Sequence, residues 1–284
     1  MYLFFPQWQG SGERDEVYHG AHRLRESLPA TLNFVEVPVK PLHSITLEND
    51  IWGYTTLLEQ LESACTILKG LDPSHIFLVG GDCSGEIAPV SFLNQHYQGD
   101  LAVVWFDAHA DMNTPDSTPS GNVHGMPLAC AIGLGPAELT GIGCHVPMVD
   151  PENVAIVGLR SVDDIEKYNV RGAGVHPFTM RDIDERGMRT VIQQAIHAVS
   201  SGTSGFHLSF DLDAVDPAEA PGVGTPVHGG ITYREAHLAM ETICDSGLMT
   251  SLELVELNPV LDIANRTAIL GVELIMSALG KRIL

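Results

Sequence analysis

Residues 101–111 read Leu-Ala-Val-Val-Trp-Phe-Asp-Ala-His-Ala-Asp, an unbroken apolar run that ends in acids and a histidine. An apolar run of this length with no polar alternation describes a strand buried on both faces, as in parallel sheets covered by helices. Asp107, His109 and Asp111 occupy alternate positions. A locally extended backbone would turn all three toward one face, where they can share a metal. So apolar a strand does not tolerate isolated carboxylates at its end, because unpaired buried charge is very costly. Cations are the natural compensation.

The arrangement returns at His207-Leu208-Ser209-Phe210, which leads into Asp211 and Asp213, with Asp216-Pro217 following as a turn. A lone Asp-X-Asp is ordinary turn or cap chemistry. Two acidic motifs, each after an apolar strand, assemble four carboxylates and an imidazole. Such a set suits two ions about 3.5–4 Å apart, bridged by carboxylates and hydroxide. Oxygen-dominated ligation favours Mn²⁺ over structural Zn²⁺.

Further strands are read at His75 to Val79, Val154 to Leu159 and Thr250 to Glu256, with weaker candidates at Tyr2 to Phe5, Asn33 to Val37 and Val175 to Phe178. With the two acidic-ended strands they make about eight. They alternate with helical periodicity, as at Tyr54 to Leu68 and Val191 to Val199, which predicts a parallel α/β sheet. Gly80-Gly81-Asp82-Cys83-Ser84 and Glu256-Leu257-Asn258-Pro259 also follow strands. Ligands of open parallel sheets bind outside the carboxyl ends of the strands, so one site accounts for all four segments.

The 284 residues are 44% hydrophobic and 18% charged, without repeats or low-complexity tracts, and fit one α/β domain spanning 1–284. A formal charge of −21 with only 15 Lys plus Arg repels a phosphate backbone and excludes nucleic acid as a partner. Cys65, Cys83, Cys130, Cys144 and Cys244 form no CxxC pair, and their odd number argues against a disulfide framework. MYLFFPQWQG lacks a basic n-region, and no apolar stretch is long enough to span a membrane, so a reduced, cytoplasmic protein is expected.

GGDCS (80–84), WFDAHAD (105–111) and SFDLDAVDP (209–217) resemble the three metal motifs of the arginase, agmatinase and formimidoylglutamase family, the ureohydrolases. The likeness extends over nearly the whole chain, through NTPDSTPSGNVHGMP from Asn113, GLRSVDDIE from Gly158, PGVGTPVHGG from Pro221 and ELVELNP from Glu253. It implies a three-layer α/β/α fold around an eight-stranded parallel sheet. It also implies that Asp107 and Asp211 bridge two divalent ions, that Cys83 and Asp111 complete the first site, and that His109 and Asp213 complete the second. In the family the bridging hydroxide attacks the guanidino carbon, and the motif histidine matched by His124 shuttles a proton to the leaving amine. The family forms trimers or hexamers, so a homo-oligomer is an expectation.

Cys83 departs from the family's GGDHS, whose histidine is a ligand. A thiolate is softer than imidazole, which opens Fe, Zn or Co beside Mn, whereas a protonated thiol would leave the first ion one ligand short. The alternative is that Cys83 merely fills the core. By motif position, Asn113, Thr118, Ser120 and the neighbouring Asn122 match residues that hold an α-carboxylate. Asp163 and Glu166 match those that hold an α-ammonium, and Glu256 and Thr225 match those that face the guanidino end. This set is similar to that of arginases rather than agmatinases, whose substrate has no α-carboxylate. Ser161 and Asp164 depart from the usual GLRDVDPGE pattern, and capping of a helix start is the alternative role of Asp163 and Glu166.

The implied activity is hydrolysis of L-arginine, or a close α-amino-acid guanidine, to urea and an amine such as ornithine. The alternatives are hydrolysis of Nω-hydroxy-L-arginine, releasing hydroxyurea, and a non-catalytic family member. A deacetylase-like reading leaves SGNVHG and ELNP without purpose.

Overall fold

A computed structural model describes residues 1–40 and 45–282. Its strands are β1 (Tyr2–Phe5), β2 (Phe34–Glu36), β3 (Leu47–Glu48), β4 (Ile51–Trp52), β5 (Phe77–Gly80), β6 (Leu101–Phe106), β7 (Val154–Leu159), β8 (His176–Thr179), β9 (Gly205–Asp211) and β10 (Met249–Val255). Eight of them form one sheet in the order β2-β1-β5-β10-β9-β6-β7-β8. Every pairing in it is parallel. β3 and β4 make a separate two-stranded antiparallel ladder.

The apolar strands behave as their composition requires: β5, β6, β7 and β9 are buried throughout. Alternation along β6 sends Val103 and Trp105 to one core, shared with the helices Tyr54–Leu71 and Ile87–His96. Val104 and Phe106 enter the opposite core, shared with Glu16–Ser27, Met188–Val199, Tyr233–Ser246 and Arg266–Ala278. The result is the three-layer α/β/α architecture with eight parallel strands. All eight expected strands are present, with ends shifted by a residue or two. No helix among the described residues is long and apolar enough to cross a membrane.

The extended backbone expected for residues 107–111 is not formed. The Asp107 Oδ1 accepts the His109 N–H at 2.6 Å, the chain bends at Ala108 and His109, and Asp111 adopts φ +52°. An aspartate that bonds the backbone two residues on replaces the strand ladder with a turn. The turn, rather than a pleat, carries these side chains to the site.

The helix Glu16–Ser27 approaches the loop after β10 through Gly20, where a Cβ would lie 1.7 Å from the Leu257 carbonyl oxygen. Gly20→Ala is therefore expected to push this helix off the segment that follows Glu256. The expected loss of stability is on the order of 1–3 kcal/mol, the usual result of forcing volume into a filled contact, and urea unfolding checks it.

Candidate metal centre

The segments Gly80–Ser84, Asp107–Asp111, Asp211–Asp213 and Glu256–Pro259 leave β5, β6, β9 and β10, and these four are adjacent at the middle of the sheet. Segments far apart in the chain therefore meet at one edge. Cys83, Asp107 and Asp211 offer ligand atoms within 4.8 Å of one another, as do Asp107, His109 and Asp213. Asp107 is common to both groups.

Local hydrogen bonds fix these side chains. The Trp105 Nε1–H donates to Asp107 Oδ2 at 3.1 Å, and the Asp213 N–H donates to Asp211 Oδ1 at 2.6 Å, a second turn of the kind made by Asp107. Asp213 ties the two acidic loops together by accepting the Ala108 N–H at 3.1 Å and the Thr225 hydroxyl at 2.8 Å. His109 Nδ1 lies 3.3 Å from Asp107 Oδ1 and 3.1 Å from Asp213 Oδ2. The Cys83 thiol donates to Asp211 Oδ2 at 3.3 Å.

The acids outnumber the cations around them. Asp107, Asp111, Asp211 and Asp213 are at most 5% exposed. Burial and the neighbouring Asp213 push the Asp107 carboxyl up to about 7. Burial, together with the adjacent aspartates, drives Asp111 and Asp211 well above the carboxylate range. Burial opposes ionisation of Asp213 too, but the charge and hydrogen bond of His109 outweigh it and hold Asp213 low. Burial would lower His109, yet Asp213 and Asp107 overcome it and push the imidazole up to about 12. Burial and the surrounding acids raise the Cys83 thiol. Asp111 Oδ2 is buried with no hydrogen-bond partner. Three acids driven to take protons and one orphaned oxygen fit divalent cations, which would stabilise all of them as carboxylates.

A cleft opens beside this cluster, lined by Cys83, His109, Asp111, His124 and Thr225 on its inner side and by Asn113, Thr118, Ser120 and Asp163 farther along. His124 Nδ1 is 3.1 Å from Glu256 Oε1. Burial lowers the imidazole, but the hydrogen bond and charge of Glu256 prevail and hold it above its ordinary value. Glu256 is 2% exposed at φ +66°, so the chain breaks from β10 at this residue, and the Cys83 N–H donates to its Oε1 at 3.4 Å.

A sequence profile of the arginase family matches residues 11–280. The chain belongs to the arginase family. It is similar to the arginase of Bacillus subtilis (strain 168), 48% identical over 207 residues, which are 73% of this chain and 69% of that protein. Against the arginase of Bacillus caldovelox it is 46% identical over the same shares. A crystal structure of Bacillus subtilis arginase matches with a TM-score of 0.87 at 37% identity, covering 100% of this chain and 98% of the other. Entamoeba histolytica arginase, solved in complex with L-ornithine, matches with a TM-score of 0.89 at 29% identity over 99% and 98% of the two chains. As a member of the arginase family, the protein is a hydrolase of the arginase type.

The outer residues of this arginase-family cleft divide into two kinds. Thr118 Oγ1 accepts the N–H groups of Ser120 and Gly121 at 3.2 and 3.1 Å and lies 3.3 Å from the Ser120 hydroxyl, so one of these two hydroxyls keeps a hydrogen free to donate. Asn113 bridges Asp163, at 3.0 Å from its Nδ2, and Ser117, at 2.8 Å from its Oδ1. Glu166 lines the cleft but serves the backbone, accepting the Met112 N–H at 2.9 Å and the Asp163 N–H at 3.1 Å. It braces the loop that carries Asp163. Asn122 stands outside the lining, with its amide oxygen where a Cβ on Gly12 would come within 2.5 Å.

Two residues that sequence reasoning passed over hold the site together. Arg160 donates to the carbonyls of Asp213 at 2.6 Å, Ala214 at 3.1 Å and Val227 at 2.8 Å, joining the exit of β7 to the turn after β9 and the loop beyond Thr225. Its position just past an apolar strand, in GLRS, was the available signal. Asp82 accepts the N–H groups of Ser11 and Ser84 at 3.0 and 2.9 Å, fixing the turn that presents Cys83.

Proposed function

We propose that this protein hydrolyses the guanidino group of L-arginine, or of a close α-amino-acid guanidine, to urea and an amine such as ornithine, with two divalent ions. Cys83, Asp107, Asp111 and Asp211 would hold the first ion, and Asp107, His109, Asp211 and Asp213 the second. The observation that carries this reading is the pair of ligand groups sharing Asp107 beside the cleft that His124 and Thr225 line. When bound, the ions supply water activation at neutral pH and charge stabilisation, with Mn²⁺ suited to the oxygen-rich donor set.

The chain's own groups do the rest. Glu256 Oε1 accepts a hydrogen bond from the Nδ1–H of His124 and thereby orients the ring, leaving Nε2 to carry a proton to the departing amine. A cationic guanidinium is drawn to an acidic cleft in a chain of formal charge −21. At the far end Asn113, Thr118 and Ser120 offer amide and hydroxyl donors to an α-carboxylate, and Asp163 offers an acceptor to the α-ammonium.

Agmatine lacks that carboxylate and forgoes the hydrogen bonds these donors would make to it. Hydrogen bonds to a charged group contribute about 1.5–3 kcal/mol each, so kcat/KM for arginine should exceed that for agmatine by roughly 10²-fold. Steady-state kinetics on both substrates tests this, and equal specificity constants would sink the assignment of the loop.

One observation favours a second reading. Cys83 is a buried thiol where the family motif has histidine, and Nω-hydroxy-L-arginine, being less basic than arginine, suits a centre with an altered first site. Comparing turnover of the two substrates separates the readings.

A further inference from the structure

Behind the candidate centre lies a second set of ligand atoms that the proposed chemistry does not use. Glu86, His207 and Glu253 each direct one donor atom into a group spanning no more than 4.8 Å. All three side chains are at most 1% exposed. His207 on β9 and Glu253 on β10 face the same side of the sheet, where His207 pairs in register with Ser251 and Ser209 with Glu253. Glu86 comes down onto that face from the turn Cys83–Glu86, the same turn that presents Cys83 to the candidate centre.

The hydrogen bonding here is incomplete in a specific way. His207 Nδ1 meets the Ser251 hydroxyl at 2.7 Å, and Nε2 lies 2.6 Å from Glu86 Oε1. With both acids ionised, neither oxygen of Glu253 has a hydrogen-bond partner, nor has Glu86 Oε2 or the Ser209 hydroxyl, and a bond between Glu253 and Glu86 forms only if the two share a proton. Among the described residues no lysine or arginine pairs with Glu86 or Glu253. Glu253 therefore directs a fully buried carboxylate at another carboxylate and an imidazole. A Cβ on Gly80 would come within 2.8 Å of its Oε1, so the glycine leaves room for that placement.

Two buried carboxylates that share one imidazole and have no lysine or arginine partner need more positive charge than His207 can supply. A divalent ion balances both while leaving the imidazole neutral. His207 also has the anchoring usual for a ligand, since a hydrogen bond at one ring nitrogen fixes the tautomer that presents the other nitrogen to a metal. Burial, with the charges of Glu86 and Asp82 nearby, pushes the Glu253 carboxyl well above its ordinary range. Protons are thus the competing occupant.

We propose that Glu86, His207 and Glu253 form a third divalent-cation site, structural in role and separate from the candidate dinuclear centre. One imidazole with two carboxylates suits a borderline ion such as Zn²⁺. An ion there would clamp the Cys83–Glu86 turn to β9 and β10, and so brace the segment that presents Cys83.

The test counts zinc. Full-length protein stripped with chelator, reloaded with ZnCl₂ and gel-filtered should hold three zinc ions per chain by mass spectrometry of the metal, and the Glu86→Gln and Glu253→Gln variants two. An Asp211→Ala, Asp213→Ala variant, with the candidate centre disabled, should keep one tightly held zinc that is lost when Glu86→Gln is added. No tightly held zinc in the Asp211→Ala, Asp213→Ala variant, with its fold intact by circular dichroism, would mean that protons hold the cluster, and would overturn the site however many ions the candidate centre takes. An unchanged zinc content in folded Glu86→Gln would overturn it equally. Because the readout is metal content, the result does not depend on which guanidine the enzyme hydrolyses.

Discussion

Asp211→Ala is expected to abolish turnover and to empty the candidate centre of tightly held metal. Asp211 groups with Cys83 and Asp107, its Oδ1 holds the Asp213 backbone at 2.6 Å, and its Oδ2 receives the Cys83 thiol. Removing it takes an oxygen from both proposed ions and releases the turn that aims Asp213. The expected fall in kcat is on the order of 10³-fold or more, above the effect of deleting a single preorganised polar group in other active sites. Alanine also relieves crowding among buried acids, so thermal stability without metal should hold or rise while activity disappears. The check is paired, with metal content and kcat measured on the same preparation. Retention of two ions with full activity would remove Asp211 from the centre, and a wild-type enzyme active with one tightly held ion at the centre would end the dinuclear mechanism.

Cys83→His should raise Mn²⁺ affinity at the first site on the order of 10–100-fold, the scale on which metal affinity responds to changes around its ligands. Imidazole binds as a neutral borderline donor, whereas sulfur must first give up a proton that burial and four surrounding acids hold tightly. The sign of the pH dependence follows. Binding through Cys83 expels a proton beyond those that the raised acids give up in either protein, so between about pH 7 and 9, where an unperturbed imidazole is already neutral, wild-type affinity should climb more steeply with pH than that of the variant. Activity should also shift toward arginine and away from Nω-hydroxy-L-arginine. Isothermal titration with Mn²⁺ at two pH values and the ratio of kcat/KM on the two substrates decide the matter. No change in either would make Cys83 a packing residue, and a gain in affinity alone would remove the case for the hydroxylated substrate.

What could be read along the chain was chemistry set by near neighbours. Leu101–Phe106 declares a strand buried on both faces, and acids placed directly after such a strand declare a need for cations, because both statements rest on burial costs within a few residues. For the same reason Asp107, His109, Asp111, Asp211 and Asp213 could be grouped, and the eight strands counted, before any contact was known. The backbone at Asp111 was not legible. A side-chain hydrogen bond from Asp107 to the main chain competes with the strand ladder, and the left-handed φ of Asp111 follows a turn that periodicity does not encode.

Tertiary structure decided the rest. The order β5-β10-β9-β6 sets Cys83, Glu256, Asp211 and Asp107 beside one another, and strand order is chosen by burial and pairing summed over the whole sheet. The sequence left Glu166 between a substrate contact and a role at a helix start, and the fold sets both its oxygens on backbone N–H groups while keeping it in the cleft lining. Arg160 had no partner in sequence, since the carbonyls it joins belong to separate loops. Glu86, His207 and Glu253 carry no motif at all. They meet because alternation along β9 and β10 turns His207 and Glu253 to one face, and the turn after β5 lowers Glu86 onto it. Sequence spacing records which residue types the chain has available, but a buried cluster drawn from three elements exists only once the sheet is paired.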